Sequence, residues 1–240
     1  MAGTRKKYTR VLLKMSGEAL AGDRGYGLDV RVVNKFAQEI KEVMALGTRL
    51  GIVVGGGNIF RGVAASARGM DRIQADYLGM LATLFNAVAI RETLLTFKVP
   101  AVVLSSLPIP ALAETYYPQV GRAELDQGKV LLLAAGTGNP YFTTDTAAAL
   151  RAAELGAQVI LKATQVDGVY DDDPRINPQA KLYQEMDYDR VLQGRLEVMD
   201  ATAVSLAREN RIPIIVFNGM IKGNLKKIIS GAKVGTIIKG

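Results

Sequence analysis

The chain has no cysteine and no histidine in 240 residues. Without cysteine there is no disulfide and no thiolate metal site. Without histidine, Ser-His-Asp hydrolysis, histidine-ligated zinc and imidazole base catalysis are all excluded. Aromatic residues make up only 6% of the chain, which disfavours the basic stripe with interleaved aromatics of a nucleic-acid surface. No uninterrupted apolar run reaches the ~18 residues of a membrane span. The basic start, MAGTRKKYTR, lacks the apolar stretch of a secretory leader. The expectation is a cytoplasmic protein with no membrane partner, whose chemistry rests on Lys, Arg, Asp, Glu, Tyr, Ser, Thr and backbone amides.

What is present suits a globular core: 49% of residues are hydrophobic and 22% charged. Lys and Arg number 30 against 23 Asp and Glu, a formal charge of +7. They are dense only in RKKYTR and KGNLKK. That excess fits a solvated basic surface, and equally an anionic small-molecule substrate.

Along the chain, strand-like and helix-like segments alternate. RVLLKM (10–15), GIVVGGG (51–57), AVVLSS (101–106), KVLLLAAG (129–136), AQVILKA (157–163) and IPIIVF (212–217) read as short, continuous apolar strands. Residues 30–47, about 70–98, 143–156 and 201–210 read as helices, with Asp29 and Gly47 as caps of the first. GNLKKIIS and VGTIIKG supply a last helix and strand. Such alternation predicts a mostly parallel sheet covered by helices on both faces. With no linker or repeat, it reads as one α/β domain over 1–240, residues 1–7 forming a disordered tail. The helix around 78–90 is apolar on most faces, which fits a core helix and equally a subunit interface.

Ligands of such sheets bind beyond the carboxyl ends of the strands, and four loops there carry unusual residues. LLKMSGEAL ends a strand with Lys14, then Ser16 and Gly17; GGGNIFRG has Gly55, Gly56, Gly57 and Arg61. AAGTGNPYFTTD leads into a Thr-capped helix, and KATQVDGVYDDDP follows Lys162 at another strand end. Consecutive glycines let backbone N–H groups converge on an anion, Arg61 offers a fork of donors, and the helix start adds free amides. Two strand-end lysines can neutralise a moving phosphoryl group. Each feature also has a plainer reading: a tight turn at the glycines, lysines reaching solvent, Asp145 stabilising a first helical turn, and a solvated turn at Asp171, Asp172 and Asp173. The P-loop pattern GxxxxGK[ST] is absent, and GxGxxG fails because Phe60 stands at its third glycine. The four loops together indicate a phosphate site of another kind.

LLKMSGEAL, VVGGGNIFRG, GTGNPYFTTD and LKATQVDGVY resemble the motifs of the bacterial UMP kinases, in the amino-acid-kinase superfamily, in order from about Tyr8 to the C-terminus. The resemblance implies a three-layer α/β/α sandwich that transfers the γ-phosphoryl of MgATP to UMP. It implies Lys14 and Lys162 as catalytic lysines oriented by Asp145. ATP would lie at Lys14, Met15, Ser16, Gly17, Gly57, Arg61, Thr164, Tyr170 and Asp173. UMP would lie at Gly56, Asp76, Thr137, Gly138, Asn139, Pro140, Tyr141, Phe142, Thr143 and Thr144. Magnesium would come mainly on the ATP phosphates. The resemblance further implies a homohexamer activated by GTP and inhibited by UTP, with the GTP effect linked to Gly22, Asp23, Arg24, Gly25, Tyr26 and Gly27. Gln165 departs from the family pattern, in which a basic residue is frequent there. Two alternatives stay open: a superfamily kinase acting on a carboxylate or carbamate, and a nucleotide-sensing regulator without catalysis.

Overall fold

The computed structural model describes residues 7–62, 66, 69–174, 176–194 and 198–240; the expected tail lies outside these except for Lys7. The first strand, β1 (Arg10–Met15), passes through a short helix, α1 (Glu18–Ala21), to α2 (Val30–Met44) and β2 (Arg49–Val54). Then come α3 (Arg72–Thr96), β3 (Ala101–Ser105), β4 (Glu114–Thr115), α4 (Pro118–Asp126) and β5 (Val130–Ala134). After α5 (Thr144–Leu155) and β6 (Val159–Thr164), the chain forms β7 (Glu185–Met186), α6 (Tyr188–Gln193), α7 (Ala201–Glu209), β8 (Ile214–Asn218), α8 (Asn224–Ile229) and β9 (Thr236–Ile238).

Among the described residues, nine strands join one sheet in the order β4-β3-β5-β2-β1-β6-β8-β9-β7. Every described neighbour pair is parallel except β8 with β9. Side chains alternate across a strand, and here the alternation feeds two cores. Val11, Leu13 and Met15 of β1 pack with α2, α3 and α8 on one face. Leu12 turns to the other face, where α4, α5, α6 and α7 cover it. Each fully buried Leu or Ile contributes about 1.5–3 kcal/mol relative to exposure, so a one-residue slip that inverted the faces would be ruinous.

The boundaries differ from the sequence reading in instructive places. Asp29 does cap α2, accepting from the Arg31 amide at 2.8 Å. The helix stops at Met44, and Gly47 turns the chain beyond it at φ +72. The second strand starts at Arg49 and ends at Val54, so the three glycines stand outside it. Helix α3 is a core helix along one side, with Ala87, Ile90 and Leu94 buried, while Leu78, Leu81 and Phe85 are 39%, 44% and 54% exposed. Its most apolar stretch has mean hydropathy 1.4, enough by length and composition to cross a membrane, but 44% of it is buried inside the fold, as in a core helix.

The glycine run owes its lack of side chains first to packing. A Cβ on Gly56 would stand 2.7 Å from the Ala82 Cβ and 2.8 Å from the Gly79 carbonyl of α3. One on Gly17 would stand 2.3 Å from the Gly55 carbonyl. Only Gly57 faces softer matter, the end of Glu18 at 3.2 Å. Asn86 of α3 donates to the Gly55 carbonyl at 2.7 Å and pairs with Asn58, tying the loop to the helix. Gly56→Ala is therefore expected to cost about 1–3 kcal/mol of stability by overpacking, and Gly57→Ala much less. Urea unfolding of both variants checks this, and equal costs would contradict it.

Candidate active site

The centre follows from strand register. Lys14 and Lys162 are register partners on adjacent parallel strands, β1 and β6. Both point to the face of Leu12 and Ile160, which α5 covers. Two ammonium groups so placed repel, and the first turn of α5 supplies the counter-charge. Asp145 pairs with Lys14 Nζ at 2.5 Å through one carboxylate oxygen and with Lys162 Nζ at 2.8 Å through the other. Lys162 also donates to the Val198 carbonyl. The three side chains are 11% to 14% exposed.

Burial would raise the Asp145 carboxyl, but the charges of Lys14 and Lys162 outweigh it and hold the group below the usual carboxylate range. Burial pulls the Lys162 ammonium below the usual lysine range, with Lys14 adding to the effect and Asp145 opposing it. Asp145 is thus held ionised between the two lysine side chains.

Around this triad the strand-end loops converge. The sheet order β5-β2-β1-β6 sets the loops after these strands side by side. Met15 ends β1, with Ser16 and Gly17 just beyond it. Arg61 does not reach inward; its guanidinium pairs with Glu18 at 2.7 Å, both groups largely exposed. Thr143 caps α5, accepting from the amides of Asp145 and Thr146. Residues 137–142 form the turn before it, with Tyr141 and Phe142 exposed. Asp76 of α3 joins this turn: it accepts from the Tyr141 amide at 2.8 Å and pairs with Arg72 at 2.9 Å. A carboxylate anchored on one side of the turn can take hydroxyl donors on the other.

Beyond β6, the Thr164 hydroxyl donates to the Val166 carbonyl at 2.7 Å. Tyr170 is half-buried and bridges to Leu182, and the Asp173 carbonyl accepts from the amides of Ile176 and Asn177. A cavity of about 650 Å³ opens beside Met15 and Thr164, between α2 and the loop after β8. The segment 22–27 begins with a short 3-10 turn, Gly22–Arg24, and exposes Asp23, Arg24, Gly25 and Tyr26. It touches the glycine loop through Gly27, whose carbonyl accepts from Asn58 at 2.7 Å. Gln165 is exposed at the foot of the β6 loop.

Sequence reasoning missed Arg72, Asp200 and the Val198 carbonyl. Asp200 caps α7 and accepts from Thr143 and Thr146, so it braces the start of α5. Its signal was present, an Asp directly before the helical ATAVSLAREN. A backbone carbonyl such as that of Val198 carries no sequence signal.

A parallel sheet with two lysines clamped by one helix-borne carboxylate is the frame of a phosphate-handling enzyme. Residues 9–218 match the amino acid kinase family, and the chain belongs to that family. Within it the chain is similar to the UMP kinase of Bacillus anthracis, at 39% identity over 97% of this chain and 96% of that one, with TM-score 0.93. It is also similar to the UMP kinase of Ureaplasma parvum, at 37% identity over 98% and 100% of the two chains, TM-score 0.91. The uridylate kinase of Archaeoglobus fulgidus is more distant, at 28% identity over 95% and 99%, TM-score 0.71.

The triad sets a titration test. Lys162 is expected to lose its proton below the ~10.4 of a free lysine, and Asp145→Asn to lower that value further by removing the larger of the two charges, Asp145 and Asp200, that oppose the shift. A lysine depressed in the fold makes stability rise with pH through the window between its folded and unfolded values. Asp145, depressed as well, stabilises above the ordinary carboxylate range, and that stability is lost as pH falls through its folded value. Carbon-13 NMR of lysine Cε reads the Lys162 titration; a value at or above that of free lysine would refute the arrangement.

Proposed function

We propose that this protein transfers the γ-phosphoryl group of MgATP to UMP, giving UDP and ADP. The observation that carries the reading is the pair Lys14–Lys162, held by Asp145 at the carboxyl ends of β1 and β6, in a chain that matches UMP kinases almost end to end.

A phosphate oxygen of UMP attacks the γ-phosphorus in line. The bond from the γ-phosphorus to the bridging oxygen breaks, and its electrons stay on the β-phosphate of ADP. No general base is required, because a phosphate monoester with its second pKa near ~6 is already largely ionised at neutral pH; the absence of histidine is then no handicap. Lys14 and Lys162 stabilise charge on the transferring group and the leaving β-phosphate, and Asp145 keeps both ammonium groups aimed, a task of positioning and electrostatics. Met15, Ser16, Gly17, Gly57, Arg61, Thr164, Tyr170 and Asp173 complete the proposed ATP side. Gly56, Asp76 and residues 137–144 complete the UMP side. Gly56 is packed against α3 and would act through its backbone. Among the described residues no cluster of three acidic side chains can hold a metal, and Asp145 is engaged by both lysines. That donor set fits Mg2+ carried in with the nucleotide, where it would supply charge neutralisation.

The proposal extends to assembly and control. The exposed apolar residues Leu78, Leu81 and Phe85 of α3 support self-association, and the family resemblance makes it a homohexamer. By the same resemblance, GTP activates through residues 22–27 and UTP inhibits, in the cytoplasm and within pyrimidine nucleotide biosynthesis. The contact of Gly27 with Asn58 gives that segment a route to the glycine loop.

Coupled ADP release with MgATP, comparing UMP, CMP, dTMP, acetylglutamate and aspartate with and without GTP, tests the reading. Turnover confined to UMP and raised by GTP is expected; turnover with a carboxylate would keep the phosphate cradle and replace the acceptor. Lys162→Ala should lower kcat by roughly 10² or more, the scale of a lost oxyanion donor, and a near-normal kcat would overturn that lysine's role.

A further inference from the structure

Arg151 lies on α5, and the proposed chemistry makes no use of it. Its side chain is only 6% exposed, and a buried guanidinium needs a reason and partners. It has four. Nη1 pairs with Glu154 at 2.6 Å, and the guanidinium lies 4.0 Å from the centre of the Tyr116 ring. Nη2 donates to the Ser106 hydroxyl at 2.8 Å and to the Gly136 carbonyl at 3.3 Å. The Tyr116 hydroxyl in turn donates to Glu154 at 2.8 Å, so the cation is locked from its far side. The Ser106 hydroxyl passes the hold on, donating to the same Gly136 carbonyl at 2.8 Å.

Gly136 belongs to a turn that needs holding. Ala135, Gly136 and Gly138 have φ of 60, 57 and 82, and a left-handed conformation is costly for an alanine. The Ala135 amide is fixed by the Thr83 hydroxyl at 2.8 Å, and Gly138 rides over Ser106 so closely that a Cβ would stand 3.1 Å away. A trans peptide is planar, with its C=O and N–H antiparallel. Pinning the Gly136 carbonyl onto Arg151 and Ser106 therefore directs the Thr137 N–H the opposite way, away from that polar anchor.

We infer that Arg151 is a positioning residue for acceptor binding: through Ser106 and directly, it holds the Gly136 carbonyl and so sets how Thr137, Gly138 and Asn139 are presented to the acceptor nucleotide. This rests on the reading of residues 137–144 as the UMP side. Arg151 touches no reacting group, and the effect travels through one carbonyl.

Steady-state kinetics on wild type, Arg151→Met, Arg151→Lys, Ser106→Ala and the double variant Arg151→Met with Ser106→Ala test it, with hydrogen exchange of residues 135–139 in the free enzyme. Arg151→Met should raise KM for UMP about tenfold, the scale of a lost hydrogen bond to a charged group, with KM for ATP unchanged. Arg151→Lys should fall between, since it keeps the charge and loses the fork. Ser106→Ala should shift KM for UMP in the same direction, and the double variant should be little worse than Arg151→Met, because both act on one carbonyl. Exchange at 135–139 should quicken in Arg151→Met. Unchanged KM values with kcat falling only as thermal stability falls would overturn the inference, as would effects that multiply in the double variant. If Arg151→Met does not fold, the KM split in Ser106→Ala decides. If wild type does not phosphorylate UMP, the acceptor reading fails, while exchange at 135–139 still tests the hold.

Discussion

Two ammonium groups brought side by side by parallel strand register cannot stay charged in a water-poor cleft unless an anion lies between them. That constraint organises the molecule's working end. Register sets Lys14 beside Lys162, and the alternation of side chains sends both to the face that α5 covers. Asp145 must then reach both, which demands that α5 begin at that point in the fold. Its start is fixed by the Thr143 cap, and Thr143 and Thr146 are braced by Asp200 at the head of α7. The Val198 carbonyl, two residues before Asp200, meets Lys162 from the same segment. Strand pairing, helix capping and a buried ion pair thus specify one another.

On the proposed reading, helix α5 serves both substrates. Its first turn holds Lys14 and Lys162, the proposed catalytic lysines, and its last turns carry Arg151, which secures the turn at Gly136, and its partner Glu154. Between these ends its buried face is Ala147, Ala148, Ala149 and Ala152. Small side chains let the helix lie close on β1 and β6, and closeness is what brings a carboxylate as short as Asp145 within reach of both lysines. Larger residues there would lift the helix and open the clamp before they cost the core much apolar area.

The sheet, its parallel sense and most strand and helix positions were legible because continuous apolar runs and helical periods differ in spacing. What escaped had no such signal. Helices α4 and α6 are short, at nine and six residues, and β4 and β7 are two residues each, so periodicity has nothing to repeat. The four loops could be singled out by composition, yet the reason for the glycines could not. A sequence says that Gly56 has no side chain, and only the fold shows that Gly79 and Ala82 of α3 occupy the space. Arg61 was readable as an anion ligand by type, while its pairing with Glu18 depends on a contact that sequence does not state. Arg151 looked like one more arginine on a helix, since burial of a charge is a tertiary fact.

The cations of the site are all paired, and the depth of each pair decides which of them can turn to a substrate. Arg61 and Glu18 are 62% and 48% exposed, and an exposed pair is worth only about 0–1 kcal/mol. Such a pair is easily exchanged for a phosphate, whose bidentate contact with a guanidinium is stronger. Arg72 and Asp76 are intermediate, at 38% and 13%, so Asp76 keeps its partner while one edge remains open. Lys162 and Asp145, each 14% exposed, lie deeper, and removing Asp145 strands the lysines that it pairs with at a cost of about 3–5 kcal/mol. On the proposed reading, a substrate phosphate is added to the clamp as a further ligand of the lysines, and Asp145 stays. The rim of the site is built to rearrange and its centre to remain in place, which is what in-line transfer asks of a group that must stabilise charge without moving.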